Sequence, residues 1–246
     1  MAVGVGEETA MLDSFNYGCV ETQRNHSDVL QGIYTLRYQV YINEWEFENP
    51  DDHPVGLECD DYDAHSAHFY ARCKHESTVI GTVRTILNSD LGFPIEKYFE
   101  LTETPEGVDR GTVGEISRLA VSKEYRRRAI DNALFEAGAF VPNALPRYMD
   151  DGRDIRRHCE HELVRGLYLL LYQDSKQRGL THWYAVMTKG LYIILKRWGI
   201  PFHQIGAAKD YHGFRAPYLV SIETVEQTLE KKNPDLLDKA RRLPSQ

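Results

Sequence analysis

The chain has 246 residues, 42% of them hydrophobic and 11% aromatic, enough for a sizeable core, and 29 basic against 37 acidic side chains leave a net charge of −8. That balance argues against a general nucleic-acid binder, whose phosphate affinity needs clustered Lys and Arg. No apolar run approaches the roughly 20 residues that span a bilayer, the start lacks the basic-then-apolar order of a signal peptide, and the four cysteines are scattered without a CxxC pair. The expectation is a protein of the reducing cytoplasm with no metal site.

Residues 1–26 read as a loose polar lead-in and 27–246 as a single domain. Ile33, Leu36, Val40 and Tyr41 recur at helical spacing and predict a helix over about 28–42. "AHFYARCKHESTVIGTVRTILN" then reads as two strands, about 67–73 and 78–87, around a polar turn, and "TVGEISRLAV" (112–121) as a third. A helix over about 127–140 should stop at the stretch holding Pro142 and Pro146. A longer one follows over about 154–178, with Ile155, Cys159, Leu163, Leu167 and Leu170 as its apolar stripe and Gly179 as its stop. "THWYAVM" predicts a buried strand, "TKGLYIILKRWG" a helix, "PFHQIG" and "PYLVSIE" two more strands, and 224–242 polar helix. Antiparallel strands first and β-α-β after them describe an α/β fold: a mixed central sheet flanked by helices, with 122–181 as an extended helical crossover.

Charge falls where this pattern predicts burial: Arg37 on the first helix, Glu58, Asp60 and Asp63 in "ECDDYD", Arg84 in "GTVRTI", and Glu115 with Arg118 in "GEISRLAV". Desolvating any of them is costly without a partner or a task, so a mutually neutralised cluster is expected. One difficulty lies in the spacing. Strict alternation puts Glu115, Ser117 and Leu119 on one face and Arg118 on the other, so both charges reach one site only if a bulge shifts the register. "HCEHE" (158–162) reads as helix surface more readily than as metal ligands, and Tyr211, His212 and Phe214 in "DYHGF" are candidates to line a pocket.

Taken in order, these motifs resemble the N-acyl amino acid synthase and acyl-homoserine-lactone (autoinducer) synthase group of the GNAT-type N-acyltransferases, closely over about 30–122 and in outline beyond. Arg37 followed by Trp45, the run Glu58, Asp60, Asp63, then Arg84, then Glu115 with Arg118 carry the likeness. The resemblance implies a GNAT fold with a splayed central sheet, and transfer of a fatty acyl group from a thioester to an amine. Glu115, Arg84 and Arg118 would be catalytic, with Arg37, Trp45, Glu58, Asp60, Asp63, Ser117 and Val121 around the substrates. Glu115→Gln and Arg84→Ala are then expected to abolish most turnover while leaving a folded protein. The length of 122–181 favours the N-acyl amino acid synthases and the related exosortase-associated acyltransferases. An acyl-homoserine-lactone synthase using S-adenosylmethionine is the alternative, and a non-catalytic acyl-lipid-binding module a second.

GNAT enzymes that grip CoA use R-x-x-G-x-G/A at the helix after the central strand, where open backbone N–H groups meet the diphosphate. Here the corresponding stretch is "RRRAID", with Ala129 and Asp131 at the small-residue positions. The expected donor is therefore an acyl carrier protein, whose acidic surface would dock on Arg126, Arg127, Arg128, Arg153, Arg156 and Arg157. No bound cofactor is implied beyond the acyl-phosphopantetheine thioester.

Overall fold

The structure, a computed structural model, describes residues 15–22, 27–73, 77–123, 125 and 149–242, without the side chains of 27 and 149–160. Its sheet comprises β1 (Phe15–Glu21), β2 (Ser66–Cys73), β3 (Val79–Leu87), β4 (Val113–Val121), β5 (His182–Met187), β6 (His203–Gln204), β7 (Lys209–Asp210) and β8 (Phe214–Ser221). They run in the order β1-β2-β3-β4-β5-β8-β6, with β7 on β8. β4 and β5 pair parallel, and the other pairs are antiparallel. The helices are α1 (Ser27–Tyr38), which continues into a π-helical turn Gln39–Glu44, the short α2 (Pro94–Tyr98), α3 (Met149–Gln177), α4 (Lys189–Trp198), α5 (Ile222–Lys232) and α6 (Pro234–Arg242).

β3, "VIGTVRTIL", is rich in β-branched residues and buried almost end to end, as a strand covered on both faces must be. Leu163, Leu167 and Leu171 of α3 pack over Phe69, Ile80 and Val83 on one side. Gly81 admits that helix: a Cβ there would lie 2.4 Å from Leu163 Cδ2. Ile33, Leu36 and Val40 of the first helix cover Val79 and Ala120 on the other side. Further along, Phe93 and Ile95 of the α2 segment cover Ile86, Tyr184 and Leu219.

The mixed α/β sheet and most of its elements stand where the sequence pattern puts them. Three local differences have physical causes. β1 lies inside the stretch read as a lead-in; its partner strand β2 and the α3 face behind it supply the burial that its own "FNYGCVE" does not advertise. The C-terminal helical stretch is two helices, broken at Asn233–Pro234 because proline lacks the N–H to continue the first. "PFHQIG" yields only the two-residue β6. The helix expected over 127–140 and its stop at Pro142 and Pro146 lie outside the described residues. Among those described, no helix is long and apolar enough to cross a membrane.

For function, the decisive feature is where β4 and β5 part. Their register runs from Val113↔His182 to Ile116↔Ala185, yet β4 continues to Val121. From Ser117 onward β4 has no β5 partner, and the sheet opens as a wedge.

Candidate active site

At the wedge, β4 carries one residue too many. Thr82 pairs with Ala120 and Arg84 with Ser117, so two steps along β3 answer three along β4. Arg118 takes up the surplus with φ 55°. This is the bulge that strict alternation demanded. It turns Arg118 to the side of Glu115 and Ser117, and all three line one cavity of about 360 Å³. A left-handed backbone at a non-glycine residue costs on the order of 1 kcal/mol, so something must hold it.

What holds it is the ion network. Arg37, fully buried, donates from Nε to Glu58 and from Nη1 to Asp63 Oδ1 at 2.7 Å. Arg84 donates from Nη1 to Asp63 Oδ1 at 2.5 Å and to Asp60 Oδ1 at 2.6 Å, from Nη2 to Asp60 Oδ2 at 3.0 Å, and from Nε to Ser117 Oγ at 3.0 Å. Arg118 donates to Glu58 and Asp60, both at 3.1 Å, and to Glu48 at 3.2 Å, with its guanidinium over the Tyr41 ring. Asp60 and Asp63 are fixed in turn by a reciprocal cap on the 3₁₀ turn Asp61–His65. Burial alone would raise the Glu58 carboxyl, but Arg37 and Arg118 outweigh it and bring it down to about 2; Asp63 is likewise held well below the usual carboxylate range by Arg37 and Arg84. His68 beside them is pushed down to about 4, chiefly by burial, and stays neutral.

Glu115 is treated differently. It is buried and, among the described residues, makes no ion pair; its Oε2 accepts the Ile95 backbone N–H at 2.9 Å. Burial raises its pKa to about 8 against the pull of that N–H and of Arg84. A carboxyl that changes protonation near neutrality on a cavity wall is chemically able to take up and release a proton there.

A second cavity, about 470 Å³, adjoins the first and shares Tyr41, Ile116, Ser117, Arg118, Val186, His212 and Arg215 with it. Its walls are mainly apolar, including Leu119, Tyr168, Met187 and Leu191, as an acyl chain requires. Trp45 lies at its rim, 57% exposed and stacked on Phe47. A larger hollow of about 520 Å³ opens between the 101–106 loop and β8, away from the buried charges.

Of the residues singled out in the sequence, the structure therefore brings Asp60, Arg84, Glu115, Ser117 and Arg118 to one cavity and Trp45 to the other. Arg37, Glu58 and Asp63 stand behind them as the inner ion network. Val121 instead packs in the core with Leu163 and Leu167 and lines neither cavity. Tyr211 and His212 do face the first cavity, whereas Phe214 is 73% exposed. Arg126, Arg127, Arg128, Ala129 and Asp131, and the side chains of Arg153, Arg156 and Arg157, lie outside the described residues. Sequence reasoning missed Glu48, Tyr41 and Arg215. Arg215 carried the same signal as Arg84, a charge opening the apolar strand "FRAPYLVS".

Residues 36–136 match the family model of the acetyltransferase (GNAT) domain. Over that stretch the chain carries a GNAT-type acetyltransferase domain. No curated protein matches the sequence. Solved structures similar to the GNAT domain and its surroundings are TofI in a ternary complex with an inhibitor and MTA (TM-score 0.61, 17% identity, 90% of this chain and 99% of that one) and the AHL synthase LasI (0.60, 17%, 89% and 95%). The CoA-dependent acyl-homoserine lactone synthase BjaI, with SAM and isopentyl-CoA, is also similar (0.57, 16%, 93% and 100%). At these identities the likeness is one of fold, and it extends over nearly the whole of each chain.

The parting of β4 from β5 thus leaves strand backbone open between the Glu115 cavity and the mainly apolar one. Among the described residues no group of His, Cys, Asp or Glu is placed to hold a metal.

Proposed function

We propose that this N-acyltransferase moves a fatty acyl group from an acyl-carrier-protein thioester to the α-amine of an amino acid. The observation that carries the reading is Glu115, a buried carboxyl with its pKa near 8 on the wall of a cavity that meets the open strand wedge. As carboxylate, Glu115 takes a proton from the acceptor's ammonium group. The free amine attacks the thioester carbon, the C–N bond forms, the C–S bond breaks, and the nitrogen's second proton leaves with the sulfur as thiol. Glu115 then returns its proton to solvent. A thioester has weak resonance stabilisation, so positioning and proton removal suffice without a covalent enzyme intermediate. The apolar second cavity supports a fatty acyl donor.

Supplying dodecanoyl carrier protein with each amino acid, or with S-adenosylmethionine, and reading thiol release with product mass is expected to show selective stimulation by an amino acid. Stimulation by S-adenosylmethionine alone would assign an acyl-homoserine-lactone synthase instead, and no release with any amine would leave an acyl-lipid-binding module.

The carrier-protein donor is supported by the sequence Arg126–Asp131, where Asp131 would sit against the CoA diphosphate. The expected result is a kcat/KM at least about tenfold higher for dodecanoyl carrier protein than for dodecanoyl-CoA at low salt, narrowing as salt screens the docking charges. Equal efficiency with both donors, or an unchanged carrier-protein KM after charge removal at Arg126, Arg127 and Arg128, would refute it.

A further inference from the structure

We propose that Arg215 seats the carboxylate of the acceptor, selecting α-amino acids over simple amines; this rests on the acceptor class inferred above. Arg215, the second residue of β8, lines both cavities. The sheet register puts it on the same side as Glu115. Glu115 pairs with Tyr184, Tyr184 pairs with Leu219, and Leu219 lies four residues, two full alternations, from Arg215.

Its surroundings differ from those of the other buried arginines. Arg37, Arg84 and Arg118 spend their charge on Glu48, Glu58, Asp60 and Asp63. Among the described residues Arg215 makes no ion pair; its Nε is buried without a hydrogen-bond partner, and its guanidinium lies 5.1 Å from the centre of the Phe47 ring. The charged and titratable groups facing it are Arg118, Tyr41 and Tyr211. Burial lowers its pKa, yet a guanidinium stays protonated, so among the described residues a desolvated cation lines the same cavity as the base with no anion of its own. A carboxylate matches its fork with two parallel N–H···O bonds. The thioester end of the donor is neutral, and the phosphate of a phosphopantetheine arm is many bonds from it. An α-amino acid, by contrast, holds its carboxylate one carbon from the amine that must reach Glu115.

The test compares the preferred amino acid with its carboxamide on wild type, Arg215→Met and Arg215→Lys, with melting curves to confirm folding. Wild type is expected to favour the acid by about 30-fold in kcat/KM, mostly through KM; Arg215→Met brings the ratio to within about threefold, and Arg215→Lys restores part of it. Equal use of acid and carboxamide by wild type, or a wild-type ratio in Arg215→Met, would overturn the assignment. Should no amine be acylated, the acceptor reading fails on its own, and calorimetry with N-dodecanoylglycine and its carboxamide decides Arg215. Tighter binding of the acid by wild type, lost in Arg215→Met, supports the seat, and equal binding refutes it. If Arg215→Met does not fold, Arg215→Lys carries the same comparisons, and an unchanged acid preference there counts against the proposal.

Discussion

Glu115→Gln is expected to lower kcat by about 10³-fold, the scale of a lost general base, while yielding a protein more stable than wild type at pH 9. Glutamine keeps an oxygen to accept the Ile95 N–H but no longer takes a proton. In wild type the base must be ionised, so kcat/KM should rise with pH and level off above about 8; the variant should lose that limb. The stability sign is opposite. Glu115 has its folded pKa raised above the ordinary 4.5, so the neutral form is the one the fold favours. Its stabilising contribution is complete below about 4.5, falls as pH rises, and is gone above about 8. The neutral amide of the variant carries no such penalty. Thermal melting at pH 5 and pH 9 with thiol-release rates checks both halves. Near-wild-type release, or a variant less stable at both pH values, would remove Glu115 from its role.

Arg84→Ala is expected to cost about 3–5 kcal/mol, the usual penalty for removing one partner of a buried ion pair. At this chain length that is a fall in Tm on the order of 10 °C. The motifs placed Arg84 beside Glu115 as a catalytic group whose loss would leave a folded protein. The structure gives its Nε, Nη1 and Nη2 to Ser117, Asp60 and Asp63, so its alanine variant leaves buried carboxylates short of a cation. Any loss of turnover should therefore track loss of folded protein. The pH dependence follows. Glu58 and Asp63 have depressed pKa values, so their stabilisation is present above their ordinary 4.5 and 3.8; that of Glu58 is lost as pH falls through about 2 and that of Asp63 in strong acid, and His68 adds a loss between 6.5 and about 4. Wild type should weaken across this acid range and Arg84→Ala should start lower and change less with pH. A variant with wild-type Tm and no activity would return Arg84 to the chemistry.

How much was legible follows from the kind of signal each feature leaves. β3 and β4 announce themselves by β-branched and apolar residues, α3 by its stripe, and Arg37, Arg84 and Glu115 by charge amid apolar neighbours. The ion partners within "ECDDYD" are local and short-range, so they too could be read. Glu48 could not: it sits in an irregular loop among other acidic residues, and its tie to Arg118, 70 positions away, is what brings it to the site. β1 is made by its neighbours rather than by its own pattern. Arg215 was visible but unassigned, because its significance is the absence of a partner, which no one-dimensional pattern records. The bulge was deduced as a necessity, whereas its location at Arg118 required the register.

The surplus residue at Arg118 is matched by another. The π-helical turn Gln39–Glu44 also holds an extra residue within a helical repeat, and Tyr41, inside it, donates its hydroxyl hydrogen to the Leu119 carbonyl at 2.8 Å, just past the bulge. Deleting the surplus from the helix alone would swing Tyr41 about 100° around its axis; deleting it from the strand alone would flip Leu119 to the opposite face. Either single deletion breaks the bond and turns the first cavity's wall away from Glu115. The two departures from periodicity therefore meet in one hydrogen bond, and a change in either is felt at the other.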